Sequence, residues 1–170
     1  GAVTLDTAND DVTTTINDTQ GPGGDPDTAQ WSINGATSVD EGASATYTVS
    51  LSGTFGLGET ATIDIGITDI DTTSADYAAF VTAVQAAADA NTNVTLSGST
   101  LTYTAPSDGA SMTDLSISLA ATDDAFVEGP ENYNIALTTP TSTTGGAVTL
   151  DTANDDVTTT INDTQGPGGD

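Results

Sequence analysis

Four carboxylates crowd into ATDDAFVEGPENY, residues 121–133: Asp123, Asp124, Glu128 and Glu131. Carboxylates at this density support two kinds of chemistry. An acid held neutral and an ionised partner can divide acid and base work on a glycoside. Alternatively, the whole group can give its charge to a hard cation that takes about six to eight oxygen ligands. Beyond paired carboxylates nothing favours catalysis, because the 170 residues include no Lys, Arg, His or Cys to serve as nucleophile, base or oxyanion donor. The residue types suit calcium better than the alternatives. Magnesium prefers few protein ligands, and zinc favours His and Cys. Several calcium ions are therefore the expected cofactor.

The one-sidedness extends to the whole chain, whose formal charge is -25. Without basic side chains no salt bridge can form except at the amino terminus, so the fold must tolerate dense like charge or recruit cations from solvent. Of the 25 acids only four are Glu, a bias toward short carboxylates suited to tight turns and hard cations. Nucleic acid and anionic membrane surfaces are excluded as partners, since nothing here can neutralise their phosphates. No apolar run is long enough to insert in a bilayer. Disorder is countered by the 35% apolar content, which alternates with Thr and Ser in several runs.

Residues 1–25, GAVTLDTANDDVTTTINDTQGPGGD, recur letter for letter as residues 146–170, an offset of 145 residues. Such an identity points to a tandem array with a 145-residue period, the alternative being a copied segment. The expected organisation is a terminal strand remnant of a preceding repeat over 1–20 and a linker over 21–27. One sandwich unit then covers 28–165, and the next linker starts at 166–170. The remnant is expected to be loose or to pair with an exposed strand edge. Neighbouring repeats of the same chain are the expected partners, with no stable oligomer.

Short segments rich in Thr, Val and Ile follow at spacings near ten residues: WSING, ATSVDEG, ASATYTVSLSG, TATIDIGITDI, VTLSGSTLTYTA, TDLSISLAATD, ENYNIALTTP and DVTTTIND. They predict an all-β sandwich of seven or eight strands, VTLSGSTLTYTA giving one or two, bent at Gly98 and Ser99. ADYAAFVTAVQAAADAN, residues 75–91, dissents. Its alanines predict a short helix with Phe80, Val84 and Ala87 on one face, capping an open edge or end. The core is expected from Val49, Leu51, Ile63, Ile65, Leu101, Tyr103, Leu115, Ile117, Leu119, Tyr133, Ile135 and Leu137. Trp31 is read as joint or core packing, with ligand contact as the alternative.

Most acids fall at predicted strand ends. Loops after alternate antiparallel strands gather at one pole, which would unite Asp40 and Glu41, Asp69, Asp71 and Asp76, the cluster from Asp123 to Glu131, and Asp163. Bare carboxylates brought together raise one another's pKa values and oppose folding, and calcium resolves that conflict. Asp151, Asn154, Asp155 and Asp156 should face the opposite pole, holding another ion or forming a plain Asx-rich turn. Asp25 and Asp27 are placed to reach an ion from the linker and stiffen the joint. Asp64, Asp89, Asp108 and Asp114 read as solvated surface.

The combination of SVDEGASATYTVSLSG, DTTSADYAAF, LTYTAP, DDAFVEGPENYNIALTTPT and TTTINDT resembles a Calx-beta-like domain. It is still more similar to the extender repeats of giant bacterial adhesins exported by type I secretion, the RTX adhesins, over about residues 33–164. The resemblance implies an immunoglobulin-like, Greek-key sandwich repeated many times into a calcium-dependent rod that projects an adhesive tip from the bacterial cell surface. It also implies that Glu41, Asp76, Asp123, Asp124, Glu128 and Asp163 match calcium-ligating positions. Two departures stand out: the alanine-rich helix is not part of the plain Calx-beta pattern, and INDTQ offers Asp163 where the family often ends in a run of aspartates. The expected function is a non-catalytic, extracellular extender, with an adhesive module for carbohydrate or surface binding as the alternative.

Overall fold

The computed structural model describes residues 13–14, 28–124, 127–143 and 147–163. The linker acids Asp25 and Asp27, and most of the remnant and linker boundaries, lie outside the described residues. Among the described residues ten strands and one helix follow in order: β1 (Ala29–Gly35), β2 (Ser38–Asp40), β3 (Ser44–Leu51), β4 (Thr60–Asp69), α1 (Phe80–Asp89), β5 (Val94–Ser97), β6 (Thr100–Thr104), β7 (Leu115–Ala120), β8 (Glu131–Ser142), β9 (Val148–Leu150) and β10 (Asp156–Asn162). One sheet runs β7-β3-β1-β9 and the other β2-β10-β8-β4-β6-β5. The all-β sandwich of two sheets with one short helix is as expected, but the strand count exceeds the seven or eight predicted. VTLSGSTLTYTA makes two strands, because Gly98 adopts φ 64° and turns the chain into the β5–β6 hairpin. β9 has three residues, too few to display alternation in sequence.

Alternation explains the packing. β3 and β7 bury every second residue, and the faces they turn inward meet those of β4, β6 and β8. All twelve expected core residues are buried, and Trp31 joins them with 0% exposure. Its place is therefore the core. Inside the sandwich the Tyr47 hydroxyl lies 2.6 Å from both the Tyr133 hydroxyl and Thr159 Oγ1, and Thr159 donates to the Ala36 carbonyl at 2.7 Å. Burial is the main reason the Tyr47 phenol is pushed far above its usual range.

The helix buries Phe80, Val84, Ala87 and Ala88. It packs against β7 and β5, the edge strands on the same side of the two sheets, and so covers that open side as expected. Pairing departs from a purely antiparallel sandwich at the other side. The chain crosses between sheets at Ala36 and Thr37, separating β1 from β2, and crosses again between β9 and β10. β1 pairs in parallel with β9, and β2 in parallel with β10, so both ends of the unit are stitched together in both sheets.

Candidate metal centre

Strand register brings the acids together. β10 runs parallel to β2 with Asn162 level with Asp40, so Asp163 emerges beside Glu41, whose backbone N–H donates to the Asn162 carbonyl at 3.1 Å. β8 runs antiparallel to β10 with Glu131 opposite Ile161, and β4 ends with Asp69 opposite Tyr133. β7 ends with Ala120 opposite Ser44, which delivers Asp123 and Asp124 to the same pole. The turn between β2 and β3 closes with Ala43 N–H on the Asp40 carbonyl at 3.0 Å. Gly42 in that turn has φ 73°, and a Cβ there would stand 3.4 Å from Asp123 Cβ, so glycine admits both the turn and the close approach.

Two groups of carboxylates result, and Glu128 belongs to both. In the first, burial and the charges of Asp163, Asp124, Asp123 and Glu128 raise the pKa of Glu41 above its ordinary value. Glu41 Oε2 is enclosed and has no hydrogen-bond partner. In the second, Asp76, Glu128 and Glu131 can each present an oxygen within 4.8 Å of the others. Burial, then the charges of Asp76 and Glu128, a hydrogen bond with Asp76 and the charge of Asp71 raise Glu131. Asp76 is fixed where it stands: its Oδ2 accepts the Thr73 N–H at 2.5 Å and the Thr73 hydroxyl at 3.1 Å, and its carbonyl accepts the Thr122 N–H at 2.8 Å.

A raised carboxylate pKa means that the charged form is disfavoured where it sits. A divalent cation between such groups reverses that balance, because the ion is the largest local charge. The donors are all oxygen, and carbonyls and water can complete the shell, a set that suits calcium in its tolerant geometry.

Several of the other acids are held by neutral donors. Asp69 Oδ1 accepts from the Tyr77 hydroxyl at 2.6 Å and the Thr72 hydroxyl at 3.1 Å, fastening the β4–α1 loop. Asp71 accepts the Asn132 amide at 2.9 Å. Asp155 and Asp156 lie at the opposite end of β10 from Asp163, and Asp156 accepts the Asn134 amide at 2.6 Å. Asp151 accepts the Ala153 N–H at 3.2 Å and the Asn154 amide at 2.8 Å, the bonding of an Asx turn. Asp64, Asp89 and Asp108 take hydrogen bonds from Thr100, Gln85 and the Leu57 N–H.

Sequence reasoning passed over the supports of the site. The Asn132 carbonyl receives the N–H groups of Ile70 and Asp71 and the hydroxyl of Thr72, pinning the loop that carries Asp71 and Asp76 onto β8. Thr73 and Tyr77 do the same from within the loop. The available signal was compositional: with no cationic side chain, the side chains and backbone N–H groups that can meet a carboxylate are all neutral.

No family model and no curated protein matches the chain. Among solved structures, the CARDB domain of the PF1109 protein from Pyrococcus furiosus, described in complex with di-metal ions, is similar at 15% identity and a TM-score of 0.36, covering 88% of this chain and 99% of that one.

Proposed function

We propose that the chain is a calcium-rigidified extender unit of a bacterial cell-surface adhesin, repeated in tandem outside the cell to hold an adhesive tip away from it. The observation that carries this reading is the crowding of Glu41, Glu131 and their neighbours at one pole of a chain with no basic side chain. Calcium converts that repulsion into cross-links between the β2–β3 turn, the β4–α1 loop, the β7–β8 loop and the end of β10. Extracellular calcium at roughly millimolar levels matches the weaker sites that oxygen cages of this kind provide. The ions then contribute directly to folding, because a site assembled by the fold stabilises it.

Chain direction supports the extender role. β1 starts at the pole opposite the acids and β10 ends at the acidic pole, so the chain enters at one end and leaves at the other. Successive units then lie end to end, with the calcium loops at the joint. The reading is non-catalytic, and the enclosed Trp31 removes the aromatic side chain that the adhesive alternative would use as a ligand contact. Among the described residues no helix is long and apolar enough to cross a membrane.

The test is small-angle scattering from an array of three units with calcium and with chelator. The extender reading expects a rod with calcium and a shorter, broader ensemble without it. Superimposable curves would reject it.

A further inference from the structure

Among the described residues four large apolar side chains stand exposed: Leu57, Ile70, Val81 and Val127. Single exposed apolar residues need no explanation when they are scattered. These are not scattered. Val81 lies on α1 along the flank, while the other three occupy loops at the two poles. Ile70 follows β4 directly and Val127 precedes Glu128, so both stand at the acidic pole. Leu57 lies between β3 and β4, where Leu51 at the end of β3 pairs with Trp31 near the start of β1, and so marks the opposite pole. The flanks between the poles present hydroxyls: Thr46, Ser116 and Ser118 on one sheet, Thr95, Thr104 and Thr158 on the other.

A fixed loop holds Leu57 out. Phe55 anchors it, buried edge-on against Tyr103 with ring centroids 5.5 Å apart. Every backbone N–H from Phe55 to Glu59 then donates in turn: to the Ala110 carbonyl at 2.8 Å, Glu59 Oε2 at 2.6 Å, Asp108 Oδ1 at 2.8 Å, the Ala105 carbonyl at 2.9 Å and the Gly56 carbonyl at 3.0 Å. Leu57 is 68% exposed at the tip. The apolar residues of the other pole are fixed as well, since the Ile70 N–H donates to the Asn132 carbonyl at 3.0 Å and the Glu128 N–H beside Val127 donates to Asp163 at 2.8 Å.

We infer that in an array Leu57 of one unit packs against Ile70 and Val127 of the unit before it, making each joint an apolar contact that calcium permits. The inference rests on the tandem, calcium-bound reading proposed above. A copy of the same unit is the occupant because the chain enters at the Leu57 pole and leaves at the acidic pole, which brings these two surfaces together at every joint. Such a head-to-tail contact joins two different patches, so it propagates along a line. Glu59 and Asp108 border Leu57, and with bare carboxylates on both sides the approach of two poles is opposed. Ions at the acidic pole remove that opposition and leave apolar burial to favour contact. Three side chains bury too little to hold separate molecules together, but a short linker keeps successive poles at about millimolar effective concentration. Loops already fixed lose little freedom on docking.

The test is small-angle scattering, in excess calcium, from arrays of three units with the parent sequence, with Leu57→Ser in each unit, with Ile70→Ser and Val127→Ser in each unit, or with all three substitutions. The expected result is a rod for the parent and a shorter, more bent ensemble for either pole variant, with no further loss in the triple variant. The 170-residue chain carrying Leu57→Ser should keep the parent's melting temperature and calcium titration, since that side chain is exposed and remote from the acids. If the Leu57→Ser array scatters as the parent does, or if the triple variant loses as much as the two pole variants added together, the inference is overturned while the calcium-dependent rod stands. A parent array that is no rod in calcium would reject the extender reading and this inference with it.

Discussion

The backbone N–H of Glu128 donates to the Asp163 carboxylate across 2.8 Å, although 35 positions separate the two residues. The bond ties the β7–β8 loop to the end of β10, and the same carboxylate helps to raise the pKa of Glu41. Asp163 therefore organises the pole and strains it. Asp163→Asn keeps an oxygen acceptor and removes the charge, so its melting temperature without metal should rise while its calcium-induced increase shrinks. Asp163→Ala loses the acceptor too, and should be less stable than the Asn variant by about 1 kcal/mol in chelator. Thermal unfolding of the two variants beside the parent checks both statements.

Glu128 acts on both Glu41 and Glu131, whereas Glu131 belongs to one group. Glu128→Gln should accordingly weaken calcium binding at both groups, by at least about tenfold each. Glu131→Gln should weaken one and spare the other. Titration calorimetry separates the cases, and equal losses from the two variants would contradict a shared Glu128.

The pH dependence has a definite sign. Glu41 and Glu131 have raised pKa values in the folded protein, so the folded state retains protons that the unfolded chain has already lost. Without metal, the contribution of these two groups to stability is most favourable below the ordinary carboxylate range and falls as pH rises through the raised values. Calcium binds the ionised forms, so its stabilisation is complete above those values and disappears as pH falls through them. Melting temperatures between roughly pH 4 and pH 8, in metal-free buffer and in calcium, should diverge as pH rises. A calcium effect that grows toward acid would contradict the assignment.

A Cβ added at Gly35 would stand 2.3 Å from Tyr47 Cδ1 and 2.9 Å from the Thr46 carbonyl. The Tyr47 ring cannot swing aside without breaking its hydroxyl contacts with Tyr133 and Thr159. Gly35→Ala should therefore destabilise by about 1–3 kcal/mol. Because this site is remote from the acids, the loss should be the same with and without calcium in denaturant unfolding.

The core was legible because alternation in β3, β4, β7 and β8 runs long enough to distinguish one face from the other. The helix was legible because alanine replaces the β-branched residues there, and Phe80, Val84 and Ala87 recur at helical spacing. The shared pole could be read from acids recurring at strand ends. Which acids meet was not legible, since it depends on register: Asp69 turns to Tyr77 and Thr72, while Asp76, seven residues later, joins Glu128 and Glu131. The parallel pairs were hidden too, because β2 and β9 are three residues each and their pairing depends on where the chain changes sheets.

Thermal unfolding of the chain, followed by circular dichroism in calcium, in magnesium and in chelator, tests the central claim most directly. The account predicts a large rise in melting temperature with calcium, little with magnesium, and reversal by chelator. The same melting temperature in all three would contradict it, and would leave the acidic pole as ordinary charged surface.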